Sequence, residues 1–412
     1  METDWSGTLG IVFRFVHVLA AIMWIGNSLL FTWMELCLVA PDRKTGDPDL
    51  LGTLDMLHGG GVFHLQKRVL HPDAIPERLH WFKWQSYTTW LTGFGLLCAL
   101  FYTGNNSALL DPAKTDWPAA AGVALSLAGL VGGWLIYDRL WRSPLKNHPS
   151  IGMAVSFALL LAAAALYNQF FNGRAVYLQI GAMMGTMMSA NVFFHIMTNQ
   201  RRFMAALCEG KPHDLALGKQ AKQRSLHNHY LTFPVLFLML SAHFPQLCGA
   251  EWNVPILGVL VAGLMFVKYL MNTRHRGGNW LPFLGITAGA GAAVIFLLAV
   301  LPATFHKAGW IPNEAPGQAL LVSKGCAACH MQGASQIAPS LHGLFGSNQP
   351  LTDGQSILVD EEYIRESLLH PQAKIAKGFP PSMPSYEGRL TPEEVAELVG
   401  YIRSIGALHT AQ

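Results

Sequence analysis

Apolar residues gather into eight long stretches, separated by shorter polar segments. The stretches lie near residues 11–39, 84–104, 119–138, 151–171, 175–197, 229–248, 254–272 and 280–304. Since about 20 apolar residues in a helix cross a bilayer, the pattern predicts eight transmembrane helices within a first domain, residues 1–305. The first stretch exceeds the hydrophobic core of about 7–15 residues found in signal peptides, so we interpret it as a retained helix.

Basic residues are divided unevenly between the polar segments. The segments after the first, third, fifth and seventh stretches hold 17 Lys and Arg residues, whereas those after the second, fourth and sixth hold only Lys114 and Arg174. Cytoplasmic loops carry the excess of basic residues. The distribution therefore predicts an eight-span topology with both termini outside the cytoplasm.

Composition separates the chain into two unlike parts. Hydrophobic residues make up 51% and charged residues only 13%, against about 25% charged in soluble proteins, which excludes an ordinary soluble protein. The net charge of +3 combines +7 in residues 1–312 with −4 in residues 313–412. Neither part has the composition of a nucleic-acid-binding domain or of a disordered tail.

The acidic C-terminal part carries a haem-attachment motif. Cys326, Cys329 and His330 form C-x-x-C-H, in which two thiols bind the vinyl groups of one porphyrin and the histidine faces the iron. A zinc site would need a second ligand pair, which is not found nearby. The motif predicts one covalent haem c in a domain of residues 317–412, after a proline-marked linker at residues 306–316. Such attachment takes place outside the cytoplasm, as the charge distribution predicts.

This domain resembles the cytochrome c domain fused to some cytochrome oxidase subunits, over roughly 95 residues. Met331 follows the proximal histidine too closely to reach the other face of a haem, which leaves Met383 in "GFPPSMPSY". The resemblance implies a class I cytochrome c with His330 and Met383 as axial ligands and with Pro339 supporting the histidine. The alternative is that Met383 only packs. Thr391 and Pro392 predict the start of a last helix.

Two histidines in the membrane part are candidates for a non-covalent haem b. His17 lies six residues into the first stretch and His243 five residues before the end of the sixth. At about 1.5 Å per residue, both lie ~8–9 Å below the same surface. Matched depth on two helices suits bis-histidine ligation of a haem b iron. The alternative for each is a structural hydrogen bond to a neighbouring helix.

A second group of polar residues is expected on the cytoplasmic side. Its histidines are His58, His64, His80, His195, His227 and His229, and its amides and cations are Gln66, Lys67, Asn191, Asn199, Gln200, Arg201, Gln223, Arg224 and Asn228. Amides and guanidinium groups suit the edges of a planar anionic heterocycle, which favours a substrate or second-cofactor site. The alternative is that the cations only follow the positive-inside rule and the amides cap helix ends.

The membrane segments resemble the bacterial membrane-bound urate oxidases, also called urate hydroxylases. The resemblance rests on "HGGGVFHLQK", "LHWFKWQSYTTWLTGF", "MGTMMSANVFF", "NQRRFMAAL" and "GKQAKQRSLHNHYLTFPVLFLMLS", in the same order and with the same C-terminal cytochrome. The family implies hydroxylation of urate to 5-hydroxyisourate with oxygen from water. Two electrons would leave through membrane haem and haem c to a soluble or oxidase-bound cytochrome c.

The resemblance also sets the expected fold, place and roles. The fold class is all-α, an eight-helix transmembrane bundle followed by a small class I cytochrome c domain in the periplasm, in a bacterial inner membrane. The candidate general bases are His64, His80 and His227, and the candidate substrate-binding residues are Gln66, Lys67, Arg201, Gln223, Arg224 and Asn228. Two alternatives remain, an electron-transfer module fed by quinol or a partner subunit, and a structural subunit that anchors a cytochrome.

Overall fold

The computed structural model is mostly helical and describes residues 5–41, 47–72, 75–76, 78–102, 109–111, 114–211, 215–250, 252–274, 279–300, 316–326, 330, 338–379, 381 and 383–406. The helices of the first domain are α1 (Trp5–Cys37), α2 (Trp84–Leu97), α3 (Ala119–Arg142), α4 (Pro149–Asn168), α5 (Gly173–Ala190), α6 (Met197–Cys208), α7 (Leu215–Leu240), α8 (Pro245–Cys248), α9 (Asn253–Thr273) and α10 (Leu281–Ile295). The helices cover the eight apolar stretches, with shifts of a few residues at most ends. The largest shift is at α7, which begins 14 residues before the predicted stretch.

Six helices of the described chain are long and apolar enough to cross a membrane. They are Gly10–Cys37, Ala119–Arg142, Pro149–Asn168, Gly173–Cys208, Asn253–Thr273 and Leu281–Leu298. The chain is therefore a membrane protein, while the count of eight stays a prediction. The two remaining predicted spans, in α2 and α7, do not meet these criteria, and each has a physical reason. Helix α2 gives way to a π-helical turn at Cys98–Tyr102, and the first half of α7 carries Lys219, Lys222 and Arg224.

The core of the membrane domain lies around α5. Side chains of α5, among them Val176, Tyr177 and Ile180, are fully buried against α3, α4, α7 and α9. Polar pairs join the helices inside this core, such as Ser126 Oγ donating to Gln179 Oε1 at 2.8 Å. Buried polar groups need such partners because water is absent there. Helices α1 and α10 are mostly exposed.

The connection between α1 and α2 contains a β-hairpin, which the all-α prediction missed. Strands β1 (Leu50–His58) and β2 (Gly61–Arg68) pair antiparallel. The turn between them holds Gly59 and Gly60 at φ +60° and +82°, the left-handed conformation that a two-residue hairpin turn requires of both residues. The described part of the chain is thus mostly helical rather than all-α.

The C-terminal domain is a small helical unit with its own core. It contains α11 (Pro316–Ser323), the short strands β3 (Asn348–Pro350) and β4 (Ser356–Leu358), α12 (Glu361–Leu369) and α13 (Pro392–Gly406). Helix α11 crosses α13 at Gly317, where a Cβ would lie 2.3 Å from the Glu397 carbonyl oxygen. The core includes Val359 together with Leu398, Val399 and Ile402 of α13, so one face of the last helix is buried.

Candidate functional site

Asp138, near the end of α3, lies at the centre of a buried polar cluster. Its Oδ1 accepts hydrogen bonds from His195 Nε2 at 2.6 Å and from Arg224 Nη2 at 2.8 Å. Its Oδ2 lies 2.8 Å from Arg142 Nε. Because His195 and Arg224 share one oxygen atom, their two nitrogens are at most 5.4 Å apart. The carboxylate therefore fixes an imidazole beside a guanidinium group in the protein interior.

Arg224 on α7 is fully buried and only partly satisfied. Its side chain is 0% exposed, and its Nε and Nη1 have no hydrogen-bond partner among the described residues. Its guanidinium carbon lies 4.9 Å from the centroid of the Tyr137 ring. Asp138 pairs with the buried Arg224 through Oδ1, and its Oδ2 pairs with Arg142, whose side chain is 57% exposed. Buried N–H groups without partners are costly, and oxygen atoms of a bound ligand would satisfy the two free nitrogens of Arg224.

A π-helical segment, Asn191–Ile196, positions two members of the cluster between α5 and α6. It adds a residue to the helical turn and orients both Asn191 and His195 toward α3 and α7. Asn191 Nδ2 donates to Tyr137 Oη and to Asn228 Oδ1, both at 3.0 Å. Single π-helical turns inside α-helices are frequent at functional sites. The same turn leaves Asn191 Oδ1 buried without a partner among the described residues.

His227 extends the network toward an apolar cavity. Its Nδ1 lies 2.7 Å from Tyr137 Oη. Asn191 already donates to this oxygen, so we infer that the Tyr137 hydroxyl donates to Nδ1 and that the neutral ring carries its proton on Nε2. The Trp141 ring lies 4.1 Å from the His227 ring, centroid to centroid. His227 also lines the apolar cavity.

The cavity beside His227 lies between α3, α4, α5, α7 and α9 and has a volume of about 280 Å³. Its wall on α3 includes Gly129, Gly132 and Gly133, and Met183, Met184 and Met187 of α5 line it as well. Apart from His227, its polar lining residues are Tyr137, Trp141, Ser156, Tyr167 and Tyr230. We call this cavity the slot.

The structure brings together only part of the predicted cytoplasmic group. Arg224, His227 and Asn228 lie in the buried network, with Asn191 and His195. His64, Gln66 and Lys67 instead lie on the exposed strand β2, where His64 Nδ1 is 2.5 Å from Asp55 Oδ1 and Lys67 pairs with Glu35. The exposed hairpin is a surface feature, so these three residues and His58 are not part of the buried cluster.

Four further candidates also lie outside the cluster. His80 is exposed, with its ring 4.5 Å from that of Phe82. Arg201 is exposed on α6, and Gln223 is half-buried on α7. His229 is buried but faces away from the cluster, with Nδ1 3.0 Å from Thr32 Oγ1 and Nε2 near Asn272. These placements narrow the candidate site to α3, the π-helical segment and α7.

The two haem b candidates occupy unlike surroundings. His17 Nδ1 lies 2.9 Å from the Thr89 carbonyl oxygen, and its ring fits against Gly93, where a Cβ would lie 2.8 Å from His17 Cε1. His243 is exposed at the end of the short turn after α7. His17 therefore has the structural role of packing α1 on α2, and these surroundings give no support to a haem b between the two histidines.

The C-terminal domain contains a crevice that fits haem c. It has a volume of about 200 Å³ and is lined by Cys326, His330 and Met383. His330 Nδ1 lies 2.8 Å from the Pro339 carbonyl oxygen, which leaves Nε2 for an iron atom. Burial lowers the pKa of His330, although the bond to Pro339 opposes this shift, so the ring is neutral as iron ligation requires. Cys329 lies outside the described residues.

Asp138 and Tyr137 are the two buried cluster residues that the sequence analysis did not single out. Both stand at the end of the third apolar stretch, where an acidic and an aromatic residue are common at a membrane interface. A signal was nevertheless present. An acidic residue within a membrane helix is costly and usually paired, and Arg224 was available to pair with it.

A comparison with known protein families identifies the family of the chain. The urate oxidase N-terminal family matches residues 3–300, which include every residue of the buried cluster and of the slot. The chain belongs to the urate oxidase N-terminal family. Residues 314–406 match the cytochrome c family, and a comparison with curated proteins finds no match. The membrane domain is therefore urate-oxidase-like, and the fusion to a cytochrome c domain indicates an oxidoreductase.

Membership of this family confirms the resemblance inferred from the motifs. It also gives the buried cluster a context, because the family region contains Asp138, His195 and Arg224 while the haem crevice lies in the other region. The family name points to urate, and the cytochrome c domain points to haem c and to electron transfer.

Proposed function

We propose that the chain oxidises urate to 5-hydroxyisourate, with water as the oxygen source, and passes two electrons to its haem c and then to a respiratory cytochrome. The observation that carries this proposal is Arg224, a fully buried guanidinium group whose Nε and Nη1 have no hydrogen-bond partner among the described residues. Urate at neutral pH is a planar monoanion with carbonyl oxygens on its edges. A guanidinium group recognises such an edge with two parallel hydrogen bonds.

The cluster suits the chemistry as well as the charge. Urate monoanion and water give 5-hydroxyisourate, one proton and two electrons. His195, oriented by Asp138 through the 2.6 Å bond to Nε2, has Nδ1 left to accept the proton of the attacking water. Its geometry favours His195 as the base over His227, whose Nδ1 is engaged by Tyr137. Asn191 and Asn228 hold the network in place, and Asn191 Oδ1 is an acceptor for a urate N–H.

The C-terminal domain would receive the electrons. Cys326 and Cys329 would hold the porphyrin covalently, with His330 and Met383 on the two faces of the iron. The places of Cys326, His330 and Met383 at the crevice support this assignment. Haem c, when bound, accepts one electron at a time. The proposal places the chain in a bacterial inner membrane with eight spans and with the cytochrome domain in the periplasm, on the basis of the basic-residue distribution. It does not include a haem b at His17 and His243.

An anaerobic urate titration of the purified full-length protein tests the proposal. With haem c oxidised beforehand, urate should reduce it, and one urate should reduce two molecules because each haem takes one electron. Arg224→Gln should weaken the apparent urate affinity at least tenfold. Arg201→Gln is the matched control, because it removes the same group from an exposed position. Haem content and thermal unfolding of each variant identify a folding failure.

Other results would replace the proposal by one of its alternatives. Reduction of haem c by quinol or by a partner subunit, with no response to urate, would identify an electron-transfer module. Reduction by none of these donors would leave a structural subunit that anchors a cytochrome.

A further inference from the structure

Asp138 joins a buried guanidinium group to an exposed one. Its Oδ1 lies 2.8 Å from Arg224 Nη2, and its Oδ2 lies 2.8 Å from Arg142 Nε. Because both oxygens are bonded to one carbon atom, with bonds of about 1.23 Å, the two guanidinium nitrogens are at most about 8 Å apart. The Arg224 side chain is 0% exposed, whereas that of Arg142 is 57% exposed. The buried cluster is therefore close to solvent on the side of Arg142.

The position of Asp138 on α3 indicates the same side. It lies four residues before the last residue of the helix, Arg142, and 19 residues after the first, Ala119. These separations correspond to about 6 Å and about 28 Å along the helix axis. Of the described side chains that pair with the carboxylate, those of His195 and Arg224 are buried, and that of Arg142 reaches solvent. Arg142 thus marks the solvent side of the cluster.

The positive charge of Arg142 is available to an anion in solution. Asp138 is its single ion-pair partner among the residues that the structure describes. A half-exposed ion pair is weak and is screened by salt, so Arg142 can leave Asp138 at little cost while the buried Arg224 keeps its pair. At low ionic strength its charge also acts over the short distance to Arg224, which is below the Debye length of about 10 Å at 0.1 M salt.

We propose that Arg142 is the entrance residue of the urate site: its guanidinium group attracts the urate monoanion from solvent and delivers it to Arg224. This inference rests on the proposed function and adds no step to the oxidation, in which His195 and Arg224 keep their roles. Arg142 should therefore affect the binding of urate and not the rate of electron transfer. The alternative is that Arg142 only follows the positive-inside rule.

Arg139 provides a matched control on the same helix. It is exposed and lies three residues before Arg142, and the ion pairs of Asp138 within the described chain are those with Arg142, His195 and Arg224. Arg139→Gln therefore removes the same charge from the same end of α3 without a contact to the cluster. Arg142→Gln removes the entrance charge, and Arg142→Lys restores it.

Anaerobic stopped-flow reduction of haem c in the purified full-length protein measures the entrance step. The rate is recorded against urate concentration, which gives a maximal rate and a half-saturating concentration. At low salt, Arg142→Gln should raise the half-saturating concentration about fivefold, the effect of one charge about 8 Å away at the effective dielectric constant of a wet surface. The maximal rate should stay within twofold of wild type, as expected when binding alone is weakened. Arg142→Lys and Arg139→Gln should each stay within twofold of wild type in both quantities.

Salt provides a readout that a purely structural role would not change. Because Arg142 is exposed, its attraction is screened at about 1 M salt, where the Debye length is only about 3 Å. The difference in half-saturating concentration between wild type and Arg142→Gln should then fall below twofold. Arg224→Gln, at a buried position, should keep its weaker affinity at both salt concentrations.

Several outcomes would overturn the proposal. One is an unchanged half-saturating concentration in Arg142→Gln, and another is an equal rise in Arg139→Gln, which would assign the effect to surface charge in general. A maximal rate that falls in Arg142→Gln would show instead that Arg142 positions Asp138. If thermal unfolding shows that Arg142→Gln does not fold, the wild type decides, because a half-saturating concentration independent of salt would exclude capture by an exposed cation.

A separate measurement distinguishes this inference from the proposed function. If urate does not reduce haem c in the wild type, the proposed function fails. Equilibrium dialysis with radiolabelled urate requires no electron transfer and then decides the role of Arg142. A dissociation constant about fivefold higher in Arg142→Gln than in Arg139→Gln at low salt would support the entrance role, and equal constants or no binding of urate by the wild type would overturn it.

Discussion

Asp138 neutralises the positive charge that Arg224 of α7 brings into the protein interior. Removal of one partner from a buried ion pair costs about 3–5 kcal/mol, because the remaining charge is left without compensation. In this cluster two guanidinium groups depend on one carboxylate. The carboxylate therefore determines both the stability of the region and the orientation of His195.

Asp138→Asn should destabilise the membrane domain by about 3–5 kcal/mol, because the amide keeps the size of the side chain but not its charge. Thermal unfolding of the purified protein measures the loss. A double variant with Arg224→Gln should recover part of it, since the unpaired guanidinium group of Arg224 is then absent. Asp116→Asn, at an exposed position, is the control. Additive effects of the two substitutions would show that the pair does not interact.

The residues of the cluster were recognised from sequence to different degrees. Asn191, His195, Arg224, His227 and Asn228 stood in polar motifs flanked by apolar stretches, which made them conspicuous. Which of their side chains turn inward depends on the extra residue of the π-helical segment, and helical periodicity does not reveal such an insertion. His64 and Lys67 are exposed for a different reason: the connection between α1 and α2 folds as a hairpin, which the sequence analysis did not predict.

At the scale of elements, the sequence of the β1–β2 hairpin contains a recognisable turn signal. Two glycines with positive φ connect strands of alternating apolar and polar residues, which is the usual pattern of a two-residue turn. The helices were easier to predict, because each apolar stretch is long and the surrounding bilayer leaves the backbone few other ways to satisfy its hydrogen bonds.

The start of α13 offers a prediction about capping. The Thr391 backbone N–H donates to Glu394 Oε2 at 3.0 Å, and the Glu394 N–H donates to Thr391 Oγ1 at 3.2 Å, a reciprocal capping box. Thr391→Ala should lower the free energy of unfolding of the cytochrome domain by about 1 kcal/mol. Loss of the haem c signal during denaturant titration of the full-length protein measures this change. Thr391→Ser should behave as wild type, and an equal loss in both variants would contradict the capping role.

The crossing of α11 and α13 offers a second prediction for an element. At Gly317 a Cβ would lie 2.3 Å from both the Glu397 carbonyl oxygen and Tyr401 Cβ. Gly317→Ala should therefore force the two helices apart and cost about 1–3 kcal/mol, measured in the same denaturant titration. Gly400→Ala on α13 is the control, because its Cβ meets no atom within 4 Å. A stable Gly317→Ala variant would show that the two helices do not pack in this way.

At the scale of the whole molecule, two kinds of information bear on the number of membrane spans: the distribution of basic residues, and the length and hydropathy of the helices. The distribution of basic residues predicts an even number of crossings with the haem domain outside. Length and hydropathy support six crossings directly, and α2 and α7 are the two helices that would complete eight. Helix α7 is polar in its first half, where Lys219 and Lys222 are exposed and Arg224 is buried in the polar cluster.

Cys208 provides a natural reporter for this topology. It is exposed at the end of α6, in the segment predicted to be cytoplasmic. A membrane-impermeant maleimide added to intact cells should leave Cys208 unlabelled and should label it once the membrane is opened, with Cys208→Ser identifying the band. An Asp116→Cys variant, exposed between α2 and α3, should be labelled in intact cells if α2 crosses the membrane. Labelling of Cys208 and protection of position 116 in intact cells would reverse the orientation, whereas the same accessibility at both positions would remove a crossing between them.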